Sequence, residues 1–295
     1  MEEYKREFIE FLLKTGALKV FDKPSDDRTL KSKRISPWFV NIGDFNDGET
    51  LGALANFYAD AIINSGVKAD VLYGIPDKGV GLVTSTAVAM AQKGHNVGWF
   101  FSRKDEKTHG EATNLGPEDR IKKLTVGRAP KADDAIVQLD DVFTAGDAKY
   151  EANNFLKSLG RTNLPLLAIA VDRQEVAIDS REAIAEYQEK TGTRVVSIVN
   201  ALDVYDFLRE NASEMLIRTI EREHQLTSKL LELEKFSVAE LSDVDFEISR
   251  LADLEKTLNP VSAGRLANYI RVYGTKNARA AIGKGLEQKV IGRDR

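Results

Sequence analysis

The stretch Ala135–Glu151, AIVQLDDVFTAGDAKYE, decides how this chain is read. An apolar run, Ala135–Leu139, leads into two adjacent carboxylates, Asp140 and Asp141. Val142 and Phe143 follow, then a short loop with one glycine, Thr144-Ala145-Gly146-Asp147, and a helix-like segment from Ala148. Loop amides and a helix N-terminus hold phosphate well, and carboxylates accept hydrogen bonds from sugar hydroxyls. An acid pair after a strand can equally be a plain acidic turn. The attached loop and helix are what favour a site for a phosphorylated sugar.

Outward from this stretch the chain alternates apolar strands with helices. The pattern predicts strands at Val71–Ile75, Val97–Phe101, Ala135–Leu139, Leu166–Val171 and Val195–Val199. It predicts helices at Val80–Lys93, Ala148–Leu159, Ser180–Lys190 and Ala201–Arg209. Such alternation implies an α/β fold, a mostly parallel sheet with helices on both faces, and ligands bind such sheets at the carboxyl ends of the strands. The loops Pro76–Gly79, Ser102–Leu115, Asp140–Asp147 and Asp172–Glu175 all belong at that end. Arg103–Lys131 is long and charged, contains no convincing strand, and reads as a lid or a disordered loop.

The N-terminal part forms a smaller piece. Tyr4, Phe8, Phe11 and Leu12 mark an amphipathic helix over 3–14. Leu18–Phe21 and Ile35–Ile42 read as short strands around a polar turn, Asp22–Arg28, and Leu51 to Ile62 form a second helix ending near Gly66. Beyond Arg209 the sequence is helical. Leu226, Leu230, Leu231 and Leu233 make one apolar group; Val244, Ile248, Leu251 and Leu254 make another, with Ser242 as its expected N-cap. Pro260 interrupts the pattern and a last helix follows.

Composition narrows the function classes. The 295 residues include no cysteine, which excludes disulfides, thiolate metal sites and thiol nucleophiles. The three histidines, His95, His109 and His224, are too scattered for a zinc site. No apolar run reaches 18 residues and the N-terminus is charged, so a cytoplasmic protein without a membrane span is expected. Net charge is −4, but Arg265–Arg295 holds eight Lys/Arg against two Asp/Glu, a local +6. With only Tyr269 and Tyr273 interleaved, this end reads as a solvated helical end, and nucleic acid is not an expected partner.

Over about residues 1–224 the chain resembles the orotate phosphoribosyltransferase family, type I phosphoribosyltransferases that use phosphoribosyl diphosphate (PRPP). The resemblance rests on six motifs in family order: YKREFIEFLL, TLKSKRISPWFVNIG, GIPDKGV, RKDEKTHGE, LDDVFTAGDA and DRQE. It implies a type I phosphoribosyltransferase sheet with a small N-terminal hood. Residues 225–295 are left as a helical C-terminal extension of unknown role, too short to be a fused decarboxylase barrel.

The same resemblance implies the site. Asp140 and Asp141 face the ribose hydroxyls, where anions also stabilise an oxocarbenium-like sugar. Thr144, Ala145, Gly146, Asp147 and Ala148 surround the 5′-phosphate. Lys78 lies beside the diphosphate, and Arg103, Lys104, Lys107 and His109 belong to a lid that closes on it across a homodimer interface. Lys31, Phe39, Val40, Thr144 and Arg173 take the orotate end, with Arg173 on its carboxylate. Mg²⁺ comes with PRPP and has few direct protein ligands.

Three residues depart from the family pattern, Val40 among them, standing where a second Phe is usual. Asp77 stands where tyrosine is usual, and Asp147 where Thr, Ser or Gly is usual. A carboxylate about 4 Å from a phosphate repels it by roughly 4 kcal/mol at an effective dielectric of 20. Alternatively, Asp147 caps the helix beginning at Ala148 and turns away from the anion. The rival readings are a phosphoribosyltransferase-like binding or regulatory protein with weakened turnover, and a transferase of the same fold acting on another base.

Overall fold

The computed structural model describes all residues except 31, 104–116, 144–145, 178–179, 231–237 and 283–295. By compactness the chain divides into two units, Met1–Asn41 with Asn200–Arg295, and Ile42–Val199.

The first unit opens with α1 (Glu3–Lys14), which buries Phe8, Ile9, Leu12 and Leu13 on one face. Then come β1 (Leu18–Val20), β2 (Arg28–Thr29), β3 (Ile35–Ser36) and β4 (Trp38–Val40). The single strand expected over Ile35–Ile42 is two strands with different partners. β3 pairs antiparallel with β2, and β4 pairs antiparallel with β1. Pro37 separates them, because it has no amide to donate to a ladder. The Ser36 hydroxyl bridges the break, donating to the Trp38 carbonyl at 2.8 Å.

The second unit holds the sheet. α2 (Gly48–Asn64) is capped by Asp47, whose side chain accepts from the Thr50 amide. β5 (Val71–Gly74), α3 (Gly79–Gln92), β6 (Gly98–Ser102), α4 (Pro117–Leu124), β7 (Thr125–Gly127) and β8 (Ile136–Leu139) follow. α5 (Asp147–Ser158), β9 (Leu166–Asp172), α6 (Ala183–Thr191) and β10 (Arg194–Asn200) complete it. The strand order is β10-β9-β8-β5-β6-β7. β6, β5, β8 and β9 pair in parallel, and β7 joins β6 antiparallel. β5 and β8 are buried at every residue, as central parallel strands covered on both faces must be.

Two expectations fail here. Arg103–Lys131 is not one long loop, for it contains α4 and β7. α4 carries only two apolar residues, Ile121 and Leu124, too few for a periodic signal; both pack in a small cluster with Leu159. Its start is written instead in Pro117 and the acids Glu118 and Asp119, a favourable first turn. α6 begins at Ala183 rather than Ser180, whose φ of +66° is not helical.

The chain then returns to the first unit with α7 (Ala201–Leu230), α8 (Val238–Leu258) and α9 (Pro260–Tyr273). α7 does not stop at Arg209, because its buried stripe of Val204, Phe207 and Leu208 continues at Thr219 and Leu226. α8 starts at Val238, so Ser242 lies inside the helix and does not cap it. α9 starts with Pro260 after Asn259, whose side chain accepts from the Val261 amide. α7, α8 and α9 pack on one another, and α8 and α9 also pack on β1. Among the described residues no helix is long and apolar enough to cross a membrane.

Candidate active site

The loops after β5, β6, β8 and β9 all leave the carboxyl ends of parallel strands, as the alternating pattern requires. They are tied edge to edge. The Ile75 amide donates to the Leu139 carbonyl at 3.0 Å, and the Ala170 amide to the Asp141 carbonyl at 2.9 Å. The Tyr73 and Ser102 hydroxyls, 3.0 Å apart, join the ends of β5 and β6. Burial pushes the Tyr73 phenol up to about 12, so it stays neutral.

The turn from β5 into α3 is tight. The Gly79 amide donates to the Ile75 carbonyl at 2.9 Å, and the Pro76–Asp77 peptide is cis. A Cβ on Gly79 would sit 2.7 Å from the Leu139 carbonyl oxygen and 2.9 Å from the Gly74 carbonyl carbon. Only glycine lets this turn lie against β8. Asp77 and Lys78 are exposed at its tip, just before the α3 N-terminus.

The acid pair sits at the end of β8, and its members differ. Asp141 binds Lys78, with Nζ 2.5 Å from Oδ2 and the Lys78 side chain 59% exposed. Asp140 binds Lys149, also with Nζ 2.5 Å from Oδ2, but both side chains are less than a tenth exposed (8% and 9%). Burial pushes the Asp140 carboxyl above the usual carboxylate range; the Lys149 ammonium pulls it back, and the Asp141 charge adds to the rise. The Tyr58 hydroxyl, from α2, donates to the Asp140 carbonyl at 2.7 Å. Tyr58 is held well above its ordinary pKa by burial, then by the charges of Asp141 and Asp140, and therefore remains a neutral donor.

Lys149 was absent from the residues picked out by sequence. The signal was present: Lys149, Ala152, Asn153 and Leu156 are the buried residues of α5, spaced i, i+3, i+4, i+7. A lysine on the apolar stripe of a helix beside two acids points to a buried ion pair. Its ammonium also lies 5.8 Å from the Phe143 ring centroid.

α5 begins at Asp147, one residue earlier than expected, and Gly146 is its N-cap. Asp147 is therefore not the cap. It lies exposed in the first turn, with Ala148 exposed beside it. Gly146 has φ +90°, and a Cβ there would fall 2.9 Å from the Phe143 ring, so the turn demands glycine on two counts.

Arg173 follows β9 in a tight turn. The Gln174 amide donates to the Asp172 carboxylate at 2.7 Å, and Gln174 has φ +50°. The Arg173 guanidinium is paired with Glu175 at 2.7 Å, both largely buried. Arg103 is exposed at the end of β6, its amide bonded to the Leu124 carbonyl.

In the other unit, β4 alternates as a strand with one buried face: Trp38 is buried, Phe39 is 37% exposed and Val40 is half-buried. Phe39 is thus not a core residue. Lys31, Lys104, Lys107, His109, Thr144 and Ala145 lie outside the described residues.

Within the sheet unit the structure therefore joins Lys78 to Asp141, sets Asp140 beside it, and brings the α3 and α5 N-termini to the same end of the sheet. Two helix N-termini favour anions, and two carboxylates favour hydroxyls. Together they suit a sugar bearing phosphate groups.

No family model matches the chain. It is 38% identical over 222 residues to the orotate phosphoribosyltransferase of Ruthia magnifica subsp. Calyptogena magnifica, covering 75% of this chain and 96% of that protein. It is 40% identical over 212 residues to that of Photobacterium profundum, covering 71% and 91%. Among solved structures, the orotate phosphoribosyltransferase of Francisella tularensis superposes with a TM-score of 0.64 at 27% identity, over 91% of this chain and all of that one. With this identity, length of match and fold, the chain belongs to the orotate phosphoribosyltransferase family.

Proposed function

We propose that the chain transfers the phosphoribosyl group of PRPP to N1 of orotate. The products are orotidine 5′-phosphate and diphosphate, a step of pyrimidine nucleotide (UMP) biosynthesis in the cytoplasm. The observation that carries this reading is the acid pair at the end of β8, with Lys78 on Asp141 and two helix N-termini at the same sheet end.

In the reaction the bond from the anomeric carbon to the diphosphate oxygen breaks, and a bond to N1 of orotate forms. Positive charge builds on the ribose as the first bond lengthens. Asp140 and Asp141 accept the ribose hydroxyls and face that charge with anions. Negative charge builds on the diphosphate, which Lys78 meets from its exposed position in the turn after β5. Arg103, Lys104, Lys107 and His109 cover the same group as a lid contributed across a homodimer. Orotate is already anionic, so no strong general base is needed. Arg173 recognises its carboxylate, with Glu175 holding the guanidinium in place. Lys31, Phe39 and Val40 contact the base, and Thr144 serves both phosphate and base.

Mg²⁺ would arrive on PRPP and water rather than on direct protein ligands; Asp140 and Asp141, each already paired with a lysine, fit it as hard oxygen groups that would reach it only through water. When bound to PRPP it screens the charge of the diphosphate.

Asp147 lies in the first turn of α5, where a carboxylate favours the helix but opposes a phosphate. Asp147→Thr is expected to lower the KM for PRPP about fivefold, the worth of roughly 1 kcal/mol for a solvent-screened charge. An unchanged KM means that the carboxylate points away from the phosphate.

A coupled assay of orotate loss tests the function itself. Loss should require both PRPP and a divalent cation. PRPP binding without turnover favours the binding-protein reading, and consumption of a different base favours the third.

A further inference from the structure

We propose that the C-terminal helices α8 and α9 are a brace for the strands that carry Phe39 and Val40, and that Arg265 is its principal positioning residue. The proposal rests on the orotate reading above for its kinetic consequence, but its physical basis lies wholly within the first unit.

Those strands need support. β1 and β4 form a sheet of two strands with three residue pairs, and β2 and β3 another with two. A two-stranded ribbon is at best marginally stable in water. Phe39 and Val40 lie opposite Lys19 and Leu18, so whatever fixes β1 fixes their position.

The extension grips β1 and the following turn at successive points. Asp253, on α8, binds the Lys19 ammonium at 2.9 Å. That bond holds the Asp253 carboxyl below its ordinary range. One helical turn on, the buried Thr257 hydroxyl accepts from the Val20 amide at 3.2 Å. Arg265, on α9, donates to the Phe21 carbonyl at 2.8 Å and to the Asp27 carboxylate at 2.7 Å. One guanidinium thus pins both ends of the turn joining β1 to β2, in a largely buried pair, 19% and 10% exposed. A planar fork with fixed donors suits this task better than a lysine. At the far end of the β2–β3 hairpin the Arg34 guanidinium lies 4.9 Å from the Tyr273 ring centroid. Backbone groups of β1 and the turn after it are therefore satisfied by side chains more than 230 residues away, which is more than simple contact between an appendage and a surface.

The test is Arg265→Met, which keeps the aliphatic stem and removes both bonds. The KM for orotate is expected to rise about tenfold, with the KM for PRPP and kcat within about twofold of the parent. Arg265→Lys should recover only part of the loss. Hydrogen exchange supplies a readout that does not depend on turnover: residues 17–21 and 36–41 should exchange faster in the variant. If Arg265→Met does not fold, Tyr273→Leu, at a half-exposed ring, is measured in the same two ways. Unchanged exchange in both segments overturns the brace. So does a parallel rise in both KM values, which marks general destabilisation. A parent that turns over no orotate overturns the proposed function, while the exchange result still decides the brace.

Discussion

Lys149→Met is expected to destabilise the protein by about 3–5 kcal/mol, the usual cost of removing one partner of a buried ion pair. Asp140 would keep its burial and its repulsion from Asp141 and lose the ammonium that offsets them. The variant's Asp140 carboxyl therefore titrates at a higher pH than the parent's. The pair contributes only while Asp140 is ionised. The stability gap is full above the variant's raised Asp140 pKa, and it closes as pH falls from there to the parent's, itself above 3.8. Activity follows the same sign. If ionised Asp140 serves the ribose, the acidic limb of kcat/KM for PRPP moves to higher pH, and the variant loses more in mild acid than in mild base. Thermal unfolding and a pH–rate profile check both parts. Adding Asp140→Asn should recover much of the lost stability, because the stranded charge is gone. A single variant as stable as the parent at neutral pH would show that the pair is of no structural consequence.

Gly79→Ala is the second large effect. Its methyl would meet the Leu139 carbonyl oxygen at 2.7 Å and the Gly74 carbonyl carbon at 2.9 Å, and both are backbone atoms that cannot swing aside. The turn after β5 must then move away from β8, taking Lys78 and the start of α3 with it. A misplacement of about 1 Å in such a site costs on the order of 100-fold. We expect a fall of that size in kcat/KM for PRPP, with stability lowered by roughly 1–3 kcal/mol from the overpacking. Equal kcat/KM in variant and parent would mean that the turn relaxes without disturbing the site. Gly81, in the same helix, has open space around its Cβ position, so Gly81→Ala serves as the neutral control.

These two residues mark how far the sequence can be read. Glycine in GIPDKG was visible, and the motif marked the turn, but the reason for Gly79 lies in a carbonyl of β8 some 60 residues away. Asp140 and Asp141 were legible as a pair, yet as equivalent members. The fold separates them: one faces a buried lysine from α5, the other an exposed lysine from the turn after β5. α4 and β7 escaped notice because a helix with two apolar residues and a three-residue edge strand carry almost no periodicity. Ser242 is no cap because α8 begins four residues before it, at Val238, and a good cap residue can also lie inside a helix.

The chain's own residues determined the α/β alternation, the strand ends from which the candidate loops leave, the acid pair with the glycine turn after it, and the helical nature of the C-terminal extension. Those are local matters of apolar period, turn chemistry and motif order. Tertiary structure alone decided that the turn at Gly79 lies against β8, that Phe39 stays out of the core, and that α8 and α9 hold β1. Each of these depends on which groups meet across long separations in the chain. There burial and hydrogen-bond satisfaction, rather than local propensity, set the free energy.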